Sequence, residues 1–246
     1  MKRPLIACTR TSFTGSVFTF MLLLLMHFAE AQPGNEKGLP FITNYQPSVY
    51  EGDPVNWCVI QDRNGMMYFG QSMGKKPSTI CQYDGVNWYP IPAQSNSLIT
   101  RSMEMDANGT IYYGGYGDFG YLAPDSTGKT KEYSLVKYLP KEKQNFFDIW
   151  SIQSDGNNIY FQARERLFRL TKNSSGKWST RSWEPVSHFM YSFFLDGTLY
   201  VHEKGVGLLK MVRYSLIVIP GSECLGKERM QVMLPFENSN AVSNSK

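Results

Sequence analysis

The sequence predicts an all-β fold: a β-propeller of four blades, each a four-stranded antiparallel meander, plus the start of a fifth, in an incomplete, open ring. Three observations predict it. First, a turn followed by an aromatic strand recurs four times, as Asn64-Gly-Met-Met-Tyr-Phe-Gly70, Asp106-Ala-Asn-Gly-Thr-Ile-Tyr-Tyr-Gly114, Asp155-Gly-Asn-Asn-Ile-Tyr-Phe161 and Asp196-Gly-Thr-Leu-Tyr-Val201. Second, the shared tyrosines, Tyr68, Tyr112, Tyr160 and Tyr200, lie 44, 48 and 40 residues apart, the length of one blade. Third, aromatics reach 14%, with 15 Tyr and 15 Phe, which suits strands, and no helical period appears beyond a single turn over 141–147.

Taken in order, residues 1–31 read as a signal peptide. Lys2, Arg3 and Arg10 form its positive start, 17–28 its apolar run, and Ala29-Glu30-Ala31 its small-residue cleavage site, so cleavage falls between Ala31 and Gln32. An uncleaved anchor is the alternative, although the run is short for a span of about 20 residues. Residues 32–54 are a polar lead-in with one strand over 41–45. Blade one covers 55–92 (strands 55–61, 67–72, 79–83, 87–91) and blade two 98–136 (98–105, 110–114, 119–122, 132–135). Blade three covers 149–183 (149–154, 158–162, 167–171, 177–182) and blade four 190–220 (190–195, 198–201, 207–211, 215–219). Residues 221–227 are a loop, 229–236 open a partial fifth repeat, and 237–246 are a polar tail. Such an arc leaves its last edge and the apolar faces meant for further blades exposed.

The chemistry is sparse. Lys2, Arg3, Arg10 and Glu30 leave with the signal, taking the net charge from +4 to +2, too weak for a nucleic-acid surface. Gly115-Tyr-Gly-Asp-Phe-Gly120 matches a dinucleotide pattern, but a strand running to Pro124 follows where a helix is required, so the glycines serve a corner. Gly128-Lys-Thr130 lacks the earlier glycine of a phosphate loop, because residue 123 is Ala123. His188 and His202 stand alone, without zinc-ligand spacing. Asp106, Asp155 and Asp196 recur before turns; a turn role predicts that repetition, whereas a glycosidase pair does not. Cys58, Cys81 and Cys224 remain after cleavage, an odd number that reads as buried apolar side chains rather than a disulfide. The tryptophans Trp57, Trp88, Trp150, Trp178 and Trp183 have two readings: packing between blades, or, for one or two, a carbohydrate-stacking surface at the ring's mouth. Asn108-Gly-Thr110 and Asn173-Ser-Ser175 are glycosylation sequons, meaningful only in a eukaryotic secretory pathway. No catalytic, cofactor-binding or metal-ligating residue is nominated, and ligand-binding residues are left unassigned.

Ordered motifs from about 39 to 236 carry a resemblance. Pro40-Phe-Ile-Thr-Asn-Tyr45, Asn56-Trp57, Ile60-Gln-Asp62, Gly65-Met-Met-Tyr-Phe-Gly70, Tyr83-Asp-Gly85, Asp118-Phe-Gly-Tyr-Leu-Ala-Pro-Asp125, Phe147-Asp-Ile-Trp150, Gly205-Val-Gly-Leu-Leu209 and Ile219-Pro-Gly221 resemble two-component regulator propeller repeats. These repeats form the sensor regions of hybrid histidine kinases and triple-tyrosine-motif regulators in Gram-negative bacteria. The resemblance implies two propellers and an immunoglobulin-like domain before a membrane helix, then a kinase or DNA-binding output, and a response to glycan breakdown products. This chain shows no second propeller, kinase or DNA-binding domain, so phosphotransfer by this polypeptide is excluded. The expected function is a non-catalytic periplasmic sensor propeller, a fragment without its kinase. Its expected partners are a glycan-derived ligand and another propeller or sensor subunit, with no nucleic acid and no membrane anchor after cleavage. The alternatives are a secreted propeller enzyme acting on glycans, or a degenerate gene product.

Overall fold

The computed structural model describes residues 42–74, 77–94 and 97–235. The signal peptide with its Ala31/Gln32 cleavage site, and the polar tail, lie outside them. The chain divides into two compact units, Met1–Asn44 and Tyr45–Lys246. Of the first, only Ile42–Asn44 are described, in neither helix nor strand.

The second unit is four separate four-stranded antiparallel sheets, each ordered as its strands follow in sequence. Blade one holds β1 (Asn56–Gln61), β2 (Met67–Gln71), β3 (Ile80–Tyr83) and β4 (Trp88–Ile91). Blade two holds β5 (Thr100–Met105), β6 (Ile111–Gly115), β7 (Phe119–Pro124) and β8 (Thr130–Ser134). Blade three holds β9 (Ile149–Ser154), β10 (Asn158–Ala163), β11 (Leu167–Lys172) and β12 (Trp178–Trp183). Blade four holds β13 (Phe189–Leu195), β14 (Thr198–Glu203), β15 (Gly207–Val212) and β16 (Ser215–Val218). The first strands β1, β5, β9 and β13 contact one another in turn. This is a four-bladed propeller arc, and the strands lie within two residues of their expected bounds.

Three apolar layers hold the blades together. Tyr68 and Ile80 meet Ile111, Tyr113 and Leu122 between blades one and two. Tyr112 and Phe119 meet Ile152, Phe161 and Phe168 between two and three. Tyr160 and Leu167 meet Phe189, Leu199 and Val201 between three and four. Each fully buried side chain of this size stabilises the fold by about 1.5–3 kcal/mol. A backbone stitch recurs at the same place. Met73 N–H donates to Leu98 O (2.8 Å), Gly117 N–H to Phe147 O (3.1 Å) and Phe189 N–H to Arg164 O (2.8 Å), each tying a turn of one blade to the entry of the next.

No apolar layer joins blade four to blade one among the described residues, so the arc is open. Its two free faces are partly covered by short segments, and here two expectations need correcting. The strand over 41–45 is absent from the described Ile42–Tyr45. Instead Pro47–Tyr50 form a one-turn helix, α1, and Tyr45 and Tyr50 pack on Trp88 of blade one, with ring centroids 5.3 and 5.2 Å away. The strand expected over Arg229–Leu234 is also absent. Met230, Val232 and Leu234 alternate as a strand would, but among the described residues no partner supplies a ladder for their backbone groups, and Val232 and Leu234 are exposed. The loop expected over 221–227 contains a 3-10 turn, Glu223–Lys227, which lies on blade four. There Leu225 O bonds His202 Nε2 (2.9 Å), and Gly205 N–H donates to Gly226 O (2.8 Å). Such end pieces play the part of capping units in repeat arrays.

Candidate functional site

The turns account for the recurring acids. Asp106 Oδ1 accepts the N–H groups of Asn108 (2.8 Å) and Thr110 (2.9 Å), and its other oxygen faces the Tyr112 hydroxyl at 3.4 Å. Asp62 does the same for Asn64 and Met66 (2.8 and 2.9 Å). Asp155 takes Asn157 and Asn158, with the Tyr160 hydroxyl at 3.1 Å. Asp125 and Asn173 hold the turns that enclose the phosphate-loop look-alike and the second sequon: Lys129 N–H donates to Asp125 and Lys177 N–H to Asn173. Only glycine takes positive φ in the Asn-Gly turns (Gly65 88°, Gly109 87°), so these are not the two-residue hairpins that Asn-Gly alone suggests. Asp196 departs from its counterparts. It occupies a two-residue turn itself, at φ 48° beside Gly197 at 74°. The dinucleotide look-alike is the β6–β7 corner, where a Cβ at Gly115 would run into Ile99 O.

Three tryptophans pack as structure. Trp88 stacks on Tyr83 at 4.4 Å, Trp178 lies against Tyr121 with Lys172 over its ring, and Trp183 Nε1 donates to Tyr214 O across blades three and four (2.9 Å). The cysteines are free, and burial pushes the Cys58 thiol up to about 12, which makes it a poor nucleophile. Among the described residues no group of three or more His, Cys, Asp or Glu is placed to hold a metal ion.

Trp57 and Trp150 are different. The first strand of every blade carries a β-bulge at the same register. The residue left out of the pairing is Trp57 in β1, Arg101 in β5, Trp150 in β9 and Met190 in β13. A bulge re-aims the extra side chain, and here it brings successive blades into contact at one end of the arc. The Arg101 guanidinium lies over Trp57 (4.2 Å) and over Trp150 (4.6 Å), and Arg164 covers Trp150 as well (4.9 Å). Arg101 Nε also stands 2.8 Å from Asp148 Oδ1, close as an ion pair though off-line as a hydrogen bond. Cation–π contacts of this kind are worth about 0.5–2 kcal/mol each. Trp57 remains 45% exposed, with its Nε1 donating to Ser72 Oγ (3.1 Å). Between blades two and three, Tyr116 of the β6–β7 corner and Phe147 of the entry to β9 are exposed and 5.9 Å apart. Beside Met190 a groove of about 340 Å³ runs on between Arg164 and the capping segment.

A larger cavity, about 580 Å³, lies between the turns of blades two and three, lined by Asn108, Asn157, Asn173 and Trp178. Asp106 and Asn173 there hold their turns, and the Tyr112 hydroxyl faces Asp106; the bulge end, which gathers side chains from successive blades, is the better candidate site. Sequence reasoning missed Arg101, Arg164 and the bulges. The one available signal was the spacing of Trp57, Arg101 and Trp150, each 11 residues before a repeat tyrosine in blades one and two and 10 in blade three.

No protein-family model matches this sequence, and no curated protein matches it. Among the described residues no helix is long and apolar enough to cross a membrane. Solved structures with a similar fold include virginiamycin B lyase from Staphylococcus aureus, at 14% identity over 72% of this chain and 59% of that one, with TM-score 0.49. Another is the extracellular domain of a putative one-component system from B. thetaiotaomicron, at 17% identity, 70% and 23% coverage and TM-score 0.47. A third is an auxiliary nutrient binding protein from Bacteroides ovatus, at 15% identity, 66% and 46% coverage and TM-score 0.45. The chain thus spans less than two thirds of each, and the propeller fold rests on its own four ladders.

Proposed function

We propose that this chain is a non-catalytic, exported ligand-binding propeller of a sensor system, and that its ligand is a glycan-derived molecule bound at the bulge end. The observation that carries the reading is the row Trp57–Arg101–Trp150. Three of the four bulges at one register present aromatic or cationic side chains at one end, with an exposed indole face suited to stacking on a sugar ring. In this reading the output is made by a kinase or regulator partner, and export is by the N-terminal segment. The recurring acids that a glycosidase would need are engaged in turns.

Titration of the full chain with a panel of oligosaccharide fragments, followed by tryptophan fluorescence and calorimetry, tests it. At least one fragment is expected to bind unchanged, and Trp57→Ala is expected to weaken it by roughly tenfold, the loss of one stacking platform. Turnover of a bound fragment, or binding indifferent to Trp57→Ala, would sink the proposal.

A further inference from the structure

The groove beside Met190 carries charge that the fold leaves unbalanced. Arg164 comes from the β10–β11 turn of blade three, His188 from the entry to β13, Lys204 from the β14–β15 turn, and Lys227, Glu228 and Arg229 from the segment that caps blade four. Four fixed cations and one carboxylate line it. Among the described residues none of the four cations forms an ion pair. Elsewhere the chain does pair such groups: Arg166 with Glu184 at 3.0 Å, and Lys131 with Asp125 at 2.9 Å. The backbone brings them together deliberately, through Lys204 N–H to His188 O (2.9 Å), Phe189 N–H to Arg164 O (2.8 Å) and Gly205 N–H to Gly226 O (2.8 Å). Converging like charges raise the free energy of the empty site, and an entering anion offsets that repulsion while gaining charge-assisted hydrogen bonds. The groove has the volume of a small-ligand pocket.

We propose that this groove binds an oxyanion group, a carboxylate, sulfate or phosphate carried by a small polar ligand, with Arg164, Lys204 and Arg229 as its donors. The proposal rests on reading the bulge end as the binding face, and it makes the ligand acidic rather than neutral. Arg164 serves both parts of the site, lying over Trp150 and lining the groove.

The test is calorimetric titration of the full chain with inorganic sulfate, inorganic phosphate, glucuronate and glucose, repeated at several salt concentrations. Sulfate or phosphate, or glucuronate if the carboxylate is preferred, is expected to bind, and more weakly as salt rises. Glucose is expected not to bind in this groove. The double variant Lys204→Glu/Arg229→Glu, at exposed side chains, is expected to weaken anion binding by roughly tenfold or more without lowering the melting temperature. Lys210→Glu, on β15 outside the groove, is expected to leave it unchanged. Anion binding indifferent to the double variant, equal loss in Lys210→Glu, equal affinity for glucose and glucuronate, or no anion binding overturns the proposal. Binding of neutral fragments alone would leave the sensor reading standing without it. Anion binding with no glycan fragment bound would leave this groove standing and remove the glycan reading.

Discussion

Glu132 shows at the scale of one side chain what the outer strands tolerate. It is 3% exposed on β8, and one oxygen accepts Gln94 N–H (3.1 Å) while the other has no hydrogen-bond partner. Burial, with Asp118 adding to it, raises the carboxyl from 4.5 to about 7. Below the ordinary value the group is protonated whether folded or unfolded, and it costs nothing. As pH rises from about 4.5 to about 7 the unfolded chain gives up the proton and the folded chain keeps it, so stability falls. Above about 7 the penalty is present in full. Glu132→Gln, which keeps the acceptor and removes the charge, is therefore expected to leave the melting temperature unchanged at pH 4.5. At pH 8 it should stabilise the fold by about 2 kcal/mol. Equal effects at the two pH values would show that the buried charge is not what Glu132 costs.

At the scale of elements, the repeat is a turn and a tyrosine acting together. Asp106 holds two backbone N–H groups and faces the hydroxyl of Tyr112, and Tyr112 packs into the layer between blades two and three. Asp106→Gly is expected to cost about 2 kcal/mol by urea unfolding, since it leaves those N–H groups without their acceptor. Asp196→Gly is expected to be neutral or slightly stabilising, because that residue already sits in the left-handed region. Equal costs at the two positions would contradict this division of roles. The turn–tyrosine unit was legible in the sequence because period, turn residues and aromatic spacing are all local. The different geometry at Asp196 was not, since its loop is three residues shorter than that of Asp106 while keeping the same Asp and Gly that mark the other turns. The bulge row was illegible for another reason. A bulge is a relation between two strands, and its four residues, two tryptophans, Arg101 and Met190, have no one residue type to mark it. The absent strand over Arg229–Leu234 is the converse case, an alternating sequence whose ladder partner lies nowhere among the described residues.

Across the whole molecule, one repeat position reports whether the arc is closed. Two residues after each bulge stand Val59, Met103, Ile152 and Ser192, paired with Phe69, Tyr113, Phe161 and Val201. In blades two to four this face meets the preceding blade: Tyr113 is 2% exposed, and Phe161 and Val201 are fully buried. In blade one no other blade meets this face among the described residues: Phe69 packs on Trp88 of its own blade, on which Tyr45 and Tyr50 also lie, and Val59 is 56% exposed. The repeat tyrosines give the mirror image. Tyr68, Tyr112 and Tyr160 are buried against the following blade, while Tyr200, against which no further blade packs among the described residues, is only half-buried. Stability in such an array is a sum of neighbour interfaces, so the same substitution should have opposite consequences at equivalent positions. Ile152→Asp places an unpaired charge in the layer between blades two and three, and it is expected to cost about 4 kcal/mol or more and to leave little folded protein. Val59→Asp, on the free face, is expected to change stability by less than about 0.5 kcal/mol. A large loss at Val59 would mean that another blade covers that face in solution, and that four blades do not stand as an open arc.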